Sequence, residues 1–301
     1  MNPKDIVYEY LVNGYNKAQE ERSKAEAGKL GVLRGGSLVA MTEDGSFIGD
    51  PRTALVRFMG LDVASDYDKQ LMFDGGLFNE DAILQYFTKS GIHYECEEDI
   101  PVVVETPNGN KITGRPDALL YKDGKPDILL EFKGIFGGTS ALKNHHAGLG
   151  KPKDHNILQC AFYARYHNVP AVLIYTCRSW VPQNITPNKQ KELVDPNHRS
   201  FYYNSKNYIS NIKPYQSLYD VDWDDDTITL EGKRTAITWE DIMRGMDYVA
   251  ELAQTQTPPP YFINEVDVWG NKIWNNNMFY PYKDVNHDDW DSFIEGLKGL
   301  R

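Results

Sequence analysis

Cysteine is scarce in this chain: Cys96, Cys160 and Cys177 are the only three among 301 residues. An odd number without close pairing excludes a disulfide framework and a cysteine-rich zinc or iron–sulfur centre, and leaves buried thiols as the reading. Long apolar runs are lacking as well. The longest, at Ala171–Tyr175, falls far short of the ~20 residues that a membrane-spanning helix needs. Met1–Lys29 is charged throughout and has no apolar core of a secretion signal, so no membrane partner is expected and the cytoplasm is the expected location. No internal repeat is present.

Positive charge is also in deficit. The chain carries 32 Lys and Arg against 43 Asp and Glu, a net charge of −11, which on its face argues against a polyanionic partner. The deficit is uneven, however. From Lys133 to Lys191 eight Lys and Arg (Lys133, Lys143, Lys151, Lys153, Arg165, Arg178, Lys189, Lys191) meet one acid, Asp154, a local charge of +7. A basic stretch of that kind is either a solvated surface or a phosphate-binding one.

Hydrophobic periodicity orders the rest. A polar helix is expected over residues 3–27, loops over Gly35–Pro51, a helix over Arg52–Met59 and another over Gly76–Ser90, where Phe78, Ala82, Ile83, Tyr86 and Phe87 recur at helical spacing. The period then changes to that of strands: Ile100–Glu105, Ile112–Tyr121 and Asp127–Phe132, separated by Asn108-Gly109 and Asp123-Gly124, predict a three-stranded antiparallel meander. A helix over His155–His167 and a strand over Ala171–Cys177 follow. Residues 181–217 show no clear period. Thr227–Thr238 predicts a hairpin around Gly232, and Thr238 with Asp241 predicts a capped helix that ends before Pro258-Pro259-Pro260. The expected fold class is α/β (α+β), a mixed central sheet of αβββαβ order flanked by helices. Its expected division is an N-terminal segment, 1–50, a core, 51–180, and an extension, 181–301, with an aromatic-rich tail packed on the core.

Glu131 and Lys133 are two apart in a strand, so their side chains leave one face while Phe132 points to the other. If a hairpin loop of three or five residues is centred on Gly124, residues whose numbers sum to 248 pair, and Asp117 lies opposite Glu131. Like charges facing each other across a sheet are destabilising unless a cation lies between them. Carboxylates with open coordination positions suit Mg²⁺, with Mn²⁺ able to substitute. Lys133 beside them could orient or help deprotonate a water and neutralise charge on a phosphoryl centre. An isolated Glu-Phe-Lys is equally well a surface ion pair.

Gly114-Arg115-Pro116-Asp117 followed by Glu131-Phe132-Lys133 resembles the signature of the PD-(D/E)XK nucleases, whose restriction-endonuclease-like core has the element order expected above. Gly76-Leu77-Phe78-Asn79-Glu80 and Gln159-Cys160-Ala161-Phe162-Tyr163 are similar to the two helix motifs of the branch containing RecB-type domains and the phage lambda exonuclease (YqaJ-like) group. The resemblance implies that Glu80, Asp117 and Glu131 are metal ligands, that Lys133 is catalytic, and that Gln159 and Tyr163 position the site. It implies a Mg²⁺-dependent DNA exonuclease of recombination, replication or repair, working with a recombination or replication protein in a bacterial or phage-infected cell. A structure- or site-directed endonuclease and a non-catalytic nucleic-acid-binding module are the alternatives. Arg52, Arg57, Arg115, Lys143, Lys151, Lys153, His155 and Arg165 are the residues expected to contact DNA. His145-His146 is read as facing DNA or solvent rather than binding zinc. Strand polarity and oligomeric state stay open.

Overall fold

Local signals start the first helix. Asp50 accepts a hydrogen bond from the backbone N–H of Arg52, and Pro51 occupies the first helical position. The structure, a computed structural model, describes residues 10, 13–18, 31–61, 80–135, 152–177, 215–273, 282 and 284–300. In chain order these carry β1 (Leu33–Arg34), β2 (Ala40–Met41), β3 (Phe47–Ile48), α1 (Pro51–Phe58), a helix α2 over residues 80–89, and β4 (His93–Cys96). Then come β5 (Val102–Glu105), β6 (Lys111–Gly114), β7 (Ala118–Lys122), β8 (Lys125–Ile135), α3 (Asp154–His167) and β9 (Ala171–Cys177). The last are β10 (Tyr215–Asp224), β11 (Thr227–Leu230), β12 (Lys233–Thr238), α4 (Trp239–Gln254) and α5 (Trp290–Gly299).

The chain divides into two units, each built from separated segments: residues 1–71, 102–114 and 235–301 form one, and residues 72–101 and 115–234 the other. Contiguous segments bounded at 50 and 180, as expected from the sequence, are therefore not what the chain forms.

The second unit is organised by a mixed seven-stranded sheet of order β12-β11-β10-β9-β8-β7-β4, of whose edge strand β12 only Lys233 and Arg234 belong to this unit. β8 and β9 are parallel, joined through a connection that contains α3, and the pairs β4–β7, β7–β8, β9–β10 and β10–β11 are antiparallel. One sheet face holds Ala118, Leu130, Phe132 and Ile174, and Ile83 and Leu84 of α2 pack there. The other face carries Leu119, Leu129, Glu131 and Leu173, all buried, and receives α3, whose first turn is tied to Tyr175 of β9. Helices thus flank the sheet on both faces, as an α+β architecture requires.

The first unit has a three-stranded sheet of order β1-β6-β5 and the β2–β3 pair. α4 begins with the expected capping box of Thr238 and Asp241 and packs on α1 and β2. Gly245 makes that approach possible, since a Cβ there would stand 2.3 Å from the Val39 carbonyl oxygen. Asp247 on α4 accepts hydrogen bonds from Thr106 Oγ1 and, at 2.7 Å, from Asn110 Nδ2, which anchors the β5–β6 turn.

The expected meander is corrected in two ways. Its first strand, β5, is not in the large sheet; β4 takes that place beside β7. The expected second strand, Ile112–Tyr121, is two strands in different sheets, β6 and β7, separated at Arg115-Pro116-Asp117. Pro116 has no N–H to give a ladder, so pairing stops there and the chain changes sheet. The irregular reading of residues 181–217 falls outside the described residues as far as 214, while Tyr215–Asp224 is a strand that the periodicity reading passed over.

Candidate metal and phosphate site

The β7–β8 hairpin sets the site. Asp123 and Gly124 form a two-residue turn, both with positive φ (51° and 75°), rather than the three- or five-residue loop expected. Such a turn by itself pairs residues whose numbers sum to 247, as in Lys122↔Lys125 and Tyr121↔Pro126. A bulge between Leu120 and Tyr121 then shifts the ladder, and Leu120↔Ile128, Leu119↔Leu129 and Ala118↔Leu130 sum to 248. The ladder ends there, one residue short of Asp117 and Glu131. Asp117 Oδ2 accepts a hydrogen bond of 2.5 Å from the backbone N–H of Phe132, which fastens the end of one motif to the middle of the other.

Glu131 is fully buried, contrary to the surface position that a lone Glu-Phe-Lys suggests. Its Oε1 lies 2.5 Å from Lys133 Nζ, and its Oε2 is buried with no hydrogen-bond partner. Burial, followed by the neighbouring Asp117 charge, raises the Glu131 pKa above its ordinary value against the pull of Lys133. Asp117 is raised by burial, opposed by Lys133 and by the Phe132 N–H. Glu80, the first described residue of α2, is pushed up to about 8, by burial first and then by Asp117, Glu97 and Glu131. Burial works to lower the Lys133 pKa, but Glu131 and Asp117 outweigh it, and the ammonium is held above its usual range.

α3 closes the same face. Tyr163 is buried, its hydroxyl hydrogen-bonded by Gln159 one turn earlier, and the charges of Glu131, Asp117 and Lys133 all act on it. Tyr175, which pairs with Lys133 across β8 and β9, accepts hydrogen bonds from the Lys153 backbone N–H at 2.9 Å and from Asn156 Nδ2 at 2.7 Å. These two bonds seat the first turn of α3 on the strand beside Lys133. Glu80, Asp117, Glu131, Lys133, Gln159 and Tyr163 therefore belong to one electrostatic neighbourhood.

The expected phosphate contacts fare differently. Arg52 is 1% exposed; it donates to Asp50 Oδ1 at 2.8 Å and to the Tyr261 carbonyl oxygen, so it is a structural residue of the first unit and not a surface contact. Arg57 donates to Ser37 Oγ at 2.8 Å in that unit. Arg115, exposed, pairs with Glu98 at 3.0 Å. Arg165 donates to the Asp225 carbonyl oxygen, pairs with Asp226 at 3.4 Å and lies over the Trp223 ring, so it clamps the β10–β11 turn to α3. Lys153 and His155 are exposed in and before the first turn of α3. Lys143, Lys151, His145-His146, most of the basic stretch and residues 76–79 of the first helix motif lie outside the described residues.

Glu97 and Cys96 were not among the expected site residues. Glu97 follows β4 and its charge acts on Glu80, Asp117 and Glu131. The Cys96 thiol is pushed up to about 11 by burial and then by Glu80 and Glu97. The signal for both was the strand His93–Cys96, which the sequence reading did not assign.

Among the described residues, no group of three or more His, Cys, Asp or Glu is arranged as a ready-made metal cage. Mg²⁺ does not require one: it takes one or two carboxylates and keeps several waters. The orphaned Oε2 of a fully buried glutamate beside a second carboxylate fits that ion, which takes hard oxygen donors. Among the described residues no helix is long and apolar enough to cross a membrane.

No family model matches this chain, and no curated protein matches it. A solved structure described as the crystal structure of SSO0001 is similar at 14% identity over 69% of this chain and 87% of its own, with a TM-score of 0.34, a likeness that carries no argument.

Proposed function

We propose that the chain is a Mg²⁺-dependent deoxyribonuclease of the PD-(D/E)XK type, with the restriction-endonuclease-like core in its second unit. The single observation that carries the reading is Glu131: fully buried, bound through one oxygen to Lys133 and orphaned at the other, beside Asp117. A charge so placed is costly unless a cation completes it. Asp117 and Glu131 would hold the ion, and Glu80, on which their charges act, would be a third carboxylate toward it. When bound, Mg²⁺ polarises a phosphoryl oxygen and lowers the pKa of water.

The chain's own residues supply the rest. Lys133, kept protonated by its carboxylates, serves as a fixed positive charge facing the phosphoryl oxygen on which charge accumulates, rather than as a base. Gln159 and Tyr163 hold the α3 side of the site and, with their hydrogen-bonding groups, orient the phosphate. Water adds to phosphorus and gives up a proton to solvent, one P–O ester bond breaks, and the departing sugar oxygen takes a proton from solvent.

An exonuclease acting in recombination, replication or repair is the form favoured by the likeness of the Glu80 and Gln159–Tyr163 motifs to end-processing enzymes. The test uses end-labelled linear duplex, single strand and covalently closed circle, each with Mg²⁺ and with EDTA. Degradation of linear DNA in Mg²⁺ alone supports the proposal. Persistent cutting of closed circles turns the reading to an endonuclease, and tight DNA binding without hydrolysis turns it to a binding module.

A further inference from the structure

A buried polar pair stands beside Lys133 on the face of the sheet that α3 covers. Parallel pairing sets Tyr175 of β9 level with Lys133 of β8, and the two-residue period of strands puts Tyr175 on the side of Leu173 and Glu131. Tyr175 and Asn156 are both buried. A buried amide has to find a partner, and Asn156 donates from Nδ2 to the Tyr175 hydroxyl oxygen at 2.7 Å. That oxygen also accepts the backbone N–H of Lys153 at 2.9 Å. Lys153 is the N-cap of α3 and its side chain caps nothing, so a strand tyrosine satisfies one of the N–H groups that a helix start leaves open.

Asn156, Gln159 and Tyr163 follow one another at intervals of three and four, along one face of α3. Asn156 is bonded to Tyr175 at the start of that line, and Gln159 to the Tyr163 hydroxyl further along it. The Lys133 charge acts on both tyrosines. Around this line Ile157, Leu158 and Ala161 are buried, and their apolar contacts hold α3 on the sheet without direction. Two hydrogen bonds converging on one hydroxyl do have direction, and they fix the helix in one place.

We propose that Tyr175 and Asn156 are positioning residues of the nuclease site: the bond between them sets where α3 rests over β8, and so aims Gln159 and Tyr163 at a phosphate held beside Lys133. The inference rests on the nuclease reading and adds two residues that no motif of the sequence marks. Neither touches the phosphate; both act through α3.

The test measures kcat and KM on end-labelled linear duplex in Mg²⁺, with urea unfolding of each protein, for the wild type, Tyr175→Phe, Asn156→Leu and the double variant. Each single variant is expected to lower kcat about tenfold or more, the scale of a small misplacement of groups around the reacting atoms, with kcat/KM falling alongside and KM little changed. Each also leaves a buried polar group unpaired and lowers the urea midpoint. The double variant leaves an apolar pair of similar shape at that bond, so most of the midpoint is expected to return. Its kcat is expected to stay as low as that of either single variant, because the directed bond is still missing. If a single variant does not fold, the double variant alone carries the comparison with the wild type. Single variants with wild-type kcat, losses that multiply in the double variant, or a kcat that returns with the midpoint overturn the positioning role and leave the nuclease reading standing. A wild type that hydrolyses no DNA in Mg²⁺ overturns both.

Discussion

Lys133 Nζ stands 2.5 Å from Glu131 Oε1, and the other oxygen of that carboxylate, Oε2, is buried without a partner. Two residues apart on β8, the side chains share a face, and the ammonium satisfies half of the acid. The half it leaves is where the chemistry is assigned. Replacing a buried charge pair by apolar groups is often neutral or stabilising, so the pair by itself is a weak stability argument.

The first prediction concerns pH. Without a cation, burial and neighbouring acids raise Glu80 from 4.5 to about 8 and raise Glu131 in the same direction. A carboxyl with a raised folded pKa holds its proton longer in the folded state than in the unfolded one. Its stabilising contribution is complete below about pH 4.5 and is lost as pH rises through about 8. In EDTA the melting temperature is expected to fall between about pH 5.5 and pH 8, and Mg²⁺ is expected to reverse most of that fall. Scanning fluorimetry in both buffers reads it; a flat, Mg²⁺-insensitive profile speaks against the charged cluster.

Arg52 yields a prediction of a different kind. It is buried and tied to Asp50 and to the Tyr261 carbonyl. Arg52→Ala removes the guanidinium from Asp50 and from the Tyr261 carbonyl, and a loss of roughly 3 kcal/mol is expected in urea unfolding. A surface phosphate contact would have cost little stability, and unchanged unfolding in this variant contradicts the structural role.

Gly245 separates packing from chemistry. A methyl group there meets Val39 backbone atoms at 2.3 and 2.7 Å, atoms that no side-chain rotation moves away. Gly245→Ala is expected to destabilise by about 3 kcal/mol or more, although alanine is the better helix former. Equal or higher stability in thermal unfolding would show that α4 shifts freely on β2.

Much of this was legible in the sequence, and the failures have physical causes. The capping box at Thr238, the strand Ala171–Cys177 and the alignment of β7 with β8 at a pairing sum of 248 rest on local chemistry, and each is found. The alignment was reached by the wrong loop, because a bulge at Leu120/Tyr121 compensates for a shorter turn, and bulges leave no fixed mark in sequence. Sheet membership was not legible: β5 and β6 alternate like their neighbours, and only their partners tell that they leave the large sheet. β10 carries a readable signal, Tyr219-Asp220-Val221-Asp222-Trp223-Asp224, strict alternation in a stretch to which no element is assigned from the sequence. Glu97 and Cys96 could be reached only through the strand His93–Cys96, to which no element is assigned from the sequence.

The most direct test of the central claim is Mg²⁺-dependent hydrolysis of linear duplex DNA by the wild type and by Glu131→Gln, with circular dichroism to establish that both fold. The account predicts hydrolysis by the wild type that EDTA abolishes, and a loss of at least ~10²-fold in Glu131→Gln at unchanged fold, the scale expected when a single charge-positioning group is removed. Folded Glu131→Gln that cleaves at the wild-type rate, or wild-type cleavage that survives EDTA, contradicts it.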